Sequence, residues 1–210
     1  MPRSRLASLL DTEVSWRLRI IVVVASALLL VALFMPLWDI TLYSNQYPDG
    51  LDVRVNAGGF HAGTGGTDLV EINTLNHYIG MRALDPADIP ELKWIGVARA
   101  GFVLLAARAA VFGRIGNLVD LLVLFTCFGG ASFWMFYARL YEYGHNLDPR
   151  AAVKVAPFTP PLFGTRQLAN FTVESYPATG TYLLALFGAV LAGAILLAWR
   201  SSHTAGRTAS

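Results

Sequence analysis

The sequence predicts a mainly α membrane protein: a bundle of four transmembrane helices carrying a small extracytoplasmic antiparallel β-sheet formed by its two outer loops. Three observations predict it. The 210 residues are 55% hydrophobic and only 14% charged, where soluble domains carry about 25% charged residues. Apolar runs near residues 20–38, 94–112, 117–140 and 181–199 each approach the ~20 residues that cross a hydrocarbon core. The polar segments between them, 40–93 and 141–180, contain stretches with the two-residue alternation of strands.

Composition also narrows the function classes. A formal net charge of +2 is too small to point to nucleic acid, and no basic patch has aromatics interleaved. The single cysteine, Cys127, excludes an intramolecular disulfide. An outward part must then be held by packing, hydrogen bonds or a ligand.

The polar head up to Arg19 offers Ser8 and Asp11 as caps for a brief interfacial helix. The first span, IIVVVASALLLVALFMPLW, ends at Pro36 and Trp38, and Trp is enriched at the membrane interface. Ala25-Ser26-Ala27 resembles a signal-peptide cleavage site. The apolar run continues well beyond it, which favours a retained span. In the first loop, ITLYS and LDVRVNA flank Tyr47-Pro48-Asp49-Gly50. Pro presets φ and Gly accepts positive φ, so this reads as a hairpin. GGFHAGTGG reads as a flexible connection, LVEINTLN as a third strand, and Asp85-Pro86-Ala87-Asp88 as a turn or helix start.

Spans two and three are joined only by Gly113 to Gly116, which makes them antiparallel neighbours. Gly129, Gly130, Ala131 and Ser132 in span three, and Ala185, Gly188, Ala189, Ala192 and Gly193 in span four, are small-residue stripes. Small residues let helix backbones approach in lipid. The second loop adds a Pro-rich piece and one strand, LANFTVESY. The short segments on the side of the termini hold Arg3, Arg5, Arg17, Arg19, Arg114, Arg200 and Arg207; the long loops hold a similar number of basic residues spread over far more chain, and most of the acids. Positive charge near span ends favours the cytoplasm, so both termini are expected there, with both loops outward.

The densest chemistry lies in EINTLNHYIGM, Glu71 to Met81. His77 and Met81 are four apart and would share a face on a helix. Imidazole plus thioether is a soft pair that suits copper and also ligates haem, although no Cys-x-x-Cys-His is present to attach one. The plainer role has His77 capping a turn and Met81 packing. His61 and His145 are the other histidines that could complete a set. Glu71, Asn73, Asn76 and Tyr78 support the pair or tie the loop together, since buried polar groups need partners.

Ionisable groups inside spans are functional hypotheses by default. Arg108 and Asp120 flank the tight turn at similar depth and are expected to form a structural ion pair. Arg99 lies deeper, without an acid at its level on span three. It snorkels outward or meets Asp39 at the end of span one, or, as the candidate cofactor-binding residue, it faces a quinone, lipid or haem propionate. Cys127 among apolar neighbours reads as inert. No P-loop, Ser/His/Asp set, HExxH or dinucleotide fingerprint is present, so no catalytic residue is assigned and an enzyme is the less favoured class.

Two resemblances follow from these residues. The order of spans, strand-rich first loop and shorter second loop resembles the claudin-type layout, though the Trp-Gly-Leu-Trp motif and paired cysteines are absent; no function carries over. The run from LYSNQYPDGLDVRV through EINTLNHYIGM resembles a group of small bacterial membrane proteins that occur beside copper-delivery and nitrous-oxide-reductase maturation genes. That resemblance covers the first span and loop. It implies an accessory role near a copper enzyme or respiratory chain, with lipid and another membrane protein as partners. The alternative is a purely structural subunit of a larger respiratory or photosynthetic complex.

Overall fold

Long apolar runs without internal proline form helices, and the chain is mostly helical. A computed structural model describes residues 10–56, 58–63, 66–85, 88, 89, 91–168 and 171–207. The candidate cap Ser8, the middle of the Gly-rich tract (64–65) and the Pro86-Ala87 turn lie outside the described residues. The elements in order are α1 (Trp16–Ala32), β1 (Trp38–Tyr43), β2 (Leu51–Asn56), β3 (Gly59–Ala62), α2 (Thr67–Tyr78), α3 (Glu91–Phe112), α4 (Ile115–His145), β4 (Gly164–Leu168), β5 (Phe171–Pro177) and α5 (Thr179–Arg207). Among the described residues, three helical stretches are long and apolar enough to cross a membrane: Trp94–Phe112, Ile115–His145 and Thr179–Ser201. The protein is therefore membrane-like in its helices and carries a five-stranded antiparallel sheet.

The first helix corrects the expected span 20–38. It starts earlier, at Trp16, and ends at Ala32 after 17 residues, about 25 Å of helix. Pro36 disfavours helical backbone at the residue before it. Trp38 consequently opens β1 instead of closing a span.

The chain folds as two units, one comprising residues up to Leu33, Val97–Gly130 and Tyr182 onward, the other Phe34–Gly96 and Ala131–Thr181. The helical unit packs on Val22, Leu29, Ala106, Leu118, Phe187 and Leu191, each almost fully buried. Phe125 makes edge contacts with Phe102 and Phe187, centroids 5.5 and 5.1 Å apart. Such close packing matters because lipid tails remove the usual hydrophobic drive between helices. The small stripes behave differently from one another. A Cβ on Gly188 would lie 3.3 Å from the Phe125 ring, whereas Gly129, Gly130 and Gly193 face open space.

The α3–α4 turn is clamped by the segment that precedes α1. Val14 N–H donates to Gly113 O at 2.6 Å and Ile115 N–H to Thr12 O at 3.1 Å. Glu13 and Arg114 form an isolated antiparallel bridge. Gly113 has φ +58°, and a Cβ there would overlap the Arg19 guanidinium. Arg19 Nε in turn donates to Val14 O at 2.9 Å.

In the sheet unit the strand order is β3-β2-β1-β5-β4. The expected β1–β2 hairpin forms, with Ile40 opposite Val53 and Leu42 opposite Leu51, and Gly50 takes φ +85°. The third strand comes from the Gly-rich tract, where Phe60 pairs with Val55 and Ala62 with Val53. LVEINTLN, expected as a strand, is instead helix α2. Its Leu69, Ile72 and Leu75 recur every third residue and pack on Leu51, Val53, Phe60 and Ala62, a helical spacing that burial against the sheet selects. The second loop supplies two strands where one was expected, β4 and β5. β5 pairs with β1, placing Ser175 opposite Ile40. Trp38 is buried here among Phe133, Phe136 and Phe163, and its Nε1 donates to Ser175 Oγ at 2.8 Å.

Candidate functional site

Alternation puts the charged residues of β1, β2 and β3 on the sheet face away from α2. The register lines up His61, Arg54, Asp39 and Tyr176 in one row, and Asp52, Thr41, Glu174 and Thr165 in the next. Arg54 Nε lies 3.8 Å from Asp39 Oδ1, and both side chains are substantially exposed. Thr41 donates to Asp52 Oδ1 at 2.7 Å. Partial burial raises the Asp39 pKa above its ordinary value, with Asp52 adding to the shift and Arg54 opposing it. This charged ladder was not singled out in the sequence, although the Asp52, Arg54, Asn56 alternation already signals one polar face.

The stretch from Glu71 to Met81 turns out to be the joinery of the same unit. Tyr47 donates its hydroxyl to Glu71 at 2.5 Å, which raises the Tyr47 pKa because the neutral hydroxyl is the donor. Asn73 bonds Leu84 in both directions: Leu84 N–H to Oδ1 at 2.7 Å and Nδ2 to Leu84 O at 3.2 Å. Asn76 is buried at 6% exposure. Helix α2 ends at Tyr78, and the chain reverses through Gly80 at φ +79°. Met81 N–H reaches back to Asn76 O at 2.8 Å and Gly80 N–H to His77 O at 3.2 Å. That pair of bonds with a left-handed glycine is the Schellman termination of a helix.

The consequence for the expected His77 and Met81 pair is geometric. The helix stops between them, so they do not share a helical face as their spacing suggested. His77 and Tyr78 are exposed, and Met81 is half-buried. The Tyr78 carbonyl accepts from Val153 N–H at 2.9 Å and the Gly80 carbonyl from Asp148 N–H at 2.8 Å, which fastens the second loop to this turn. His145 stacks on Tyr141, centroids 3.7 Å apart, and His61 is exposed on β3. Among the described residues no group of three or more His, Cys, Asp or Glu side chains is placed to hold a metal ion.

The expected Arg108–Asp120 ion pair is not made. Both residues are exposed, and the Arg108 guanidinium lies 5.6 Å from the Phe112 ring one turn along its own helix. Arg99, by contrast, is 2% exposed, and its Nη1 donates to the carbonyl of Ala32 at the end of α1. Cys127, expected to be inert in an apolar setting, is on the exposed surface.

A second polar cluster escaped the sequence reading. Arg82, Asp88, Arg139, Glu142, Tyr143 and Asn146 line a cavity of about 30 Å³. Arg82 pairs with Asp88 at 2.6 Å and Arg139 with Glu142 at 3.0 Å. The Asp88 carboxylate raises the Arg82 pKa by accepting its hydrogen bond. The Tyr143 hydroxyl is buried against this cavity without a hydrogen-bond partner. The Arg139/Glu142 spacing of three on α4 was the one local signal for it. Against known proteins, no family model matches the chain, and no match was found among curated proteins or solved structures.

Proposed function

We propose that the chain is an integral membrane accessory protein of four spans, with both termini cytoplasmic, that docks on a larger membrane complex through its outward sheet unit. The observation that carries this reading is the two-faced sheet. One face is sealed by α2 and the Leu51, Val53, Phe60, Ile72 cluster, while the other displays Arg54, His61 and Tyr176. A charged ladder of this kind belongs in water and sets register with a complementary partner more than raw affinity. The residues of the Glu71–Met81 stretch brace the unit behind that face.

In its more specific form the head handles copper, or helps assemble a copper-dependent redox enzyme, with exposed His77 and half-buried Met81 as soft ligands. A purely structural subunit keeps the docking face and drops the metal. The test is photo-crosslinking in intact membranes from positions 54 and 61, with position 123 on α4 as control. A discrete membrane-protein adduct from the sheet positions, lost on Arg54→Glu, is expected. Sheet positions that crosslink to no protein would sink the docking role. Reporter fusions at Gly164 and Ser210 should read as extracytoplasmic and cytoplasmic; a cytoplasmic signal at Gly164 would reverse the orientation.

A further inference from the structure

Arg99 carries more hydrogen-bonding capacity than its surroundings use. It lies within the candidate span Trp94–Phe112 and is 2% exposed. The Ala32 carbonyl engages Nη1, which places positive charge at the C-terminus of α1, where the helix dipole favours it. A lysine could supply that much. Nε and Nη2 are also buried, and they meet no acceptor.

The identity of the two unpaired nitrogens is informative. Nε and Nη2 together form one edge of the planar guanidinium, the edge that receives two oxygens of a carboxylate or phosphate in parallel. Arginine never loses its proton in proteins, so this edge remains a charged donor. Leaving it unpaired within an apolar helix bundle is costly. Arg99 is five residues past Trp94, which is 70% exposed, so it sits about 7–8 Å along the helix from that residue. Tryptophan favours the headgroup level, and that depth is within reach of a lipid phosphate or of a small anion entering from the interface.

We propose that the Nε/Nη2 edge of Arg99 is a binding site for an oxyanion, held bidentate, while Nη1 stays on Ala32. The edge is closed to water in this structure, so the ligand enters by displacing the side chains that cover it. The shared chemistry is a two-oxygen anionic group, and its source is either a lipid headgroup or a soluble anion.

The experiment uses the full chain in neutral detergent micelles and follows the Arg99 Nε–H resonance by ¹⁵N NMR. One arm adds dioleoyl phosphatidic acid to the micelles; the other adds inorganic phosphate or acetate. A saturable downfield shift in the lipid arm alone identifies a headgroup site, and one in the soluble arm alone identifies a small-anion site. Arg99→Lys keeps the charge and removes the fork; followed, like wild type, on the backbone amide of residue 99 as well, it should weaken binding roughly ten- to hundredfold. No saturable shift in either arm, or wild-type affinity in Arg99→Lys, would overturn the proposal. If Arg99→Lys does not fold, the wild-type resonance alone decides.

Discussion

Gly80 joins the helix that carries the sequence's richest chemistry to the loop that follows α4, and replacing it should be expensive. Two costs add in Gly80→Ala. The residue holds φ +79°, and an L side chain in the left-handed region costs roughly 1–2 kcal/mol. The new Cβ would then lie 2.8 Å from Asp148 O, 2.9 Å from Ala151 Cβ and 3.0 Å from Asp148 N. Two of those atoms are backbone, so the 148–151 turn must move, and its bond from Asp148 N–H to Gly80 O at 2.8 Å moves with it. Overpacking of this kind costs about 1–3 kcal/mol. The sum is a loss of about 2–5 kcal/mol, measured by equilibrium unfolding in detergent. Gly80→Asn should recover part of the first cost, since Asn tolerates the left-handed region, and none of the second. Gly193→Ala is the control: nothing lies within 4 Å of its Cβ, and a helical Gly→Ala change should stabilise by up to about 1 kcal/mol. Stability of Gly80→Ala within about 0.5 kcal/mol of wild type, the scatter of an ordinary surface change, would refute both the left-handed helix end and the packed loop.

Two further outcomes are expected. The raised pKa of Asp39 means its contribution is fully present below the ordinary value of 3.8 and is lost as pH rises through the folded-state pKa. Asp39→Asn should therefore gain thermal midpoint relative to wild type as pH rises from 3.8; parallel wild-type and variant curves would rule this out. For the metal reading, purified wild type should bind one Cu(I), and both His77→Ala and Met81→Leu should abolish it while leaving the fold intact. Met81→Leu conserves volume and removes only the sulfur, so unchanged binding in that variant would remove copper from this stretch.

What the sequence determined by itself was local. Apolar length alone delimits Trp94–Phe112 within α3, because a helix in lipid satisfies its own backbone and needs no distant partner. The β1–β2 hairpin was legible because alternation and a Pro-Asp-Gly turn act over neighbouring residues. The tertiary structure decided whatever depended on distant chain. Residues 67–78 have too little contrast between periods to choose strand or helix, and burial of Ile72 against β2 and β3 makes the choice. Trp38 reads as an interfacial anchor until Ser175, 137 residues away, accepts its N–H and β5 pairs with β1. The four-residue spacing of His77 and Met81 implied a shared face, but Gly80 ends the helix between them, held by Asp148 and Ala151 from the second loop. Arg99 was visible as a charge in a span. Which of its nitrogens is satisfied depends on where Ala32 ends another helix, 67 residues away, and no local pattern encodes that meeting.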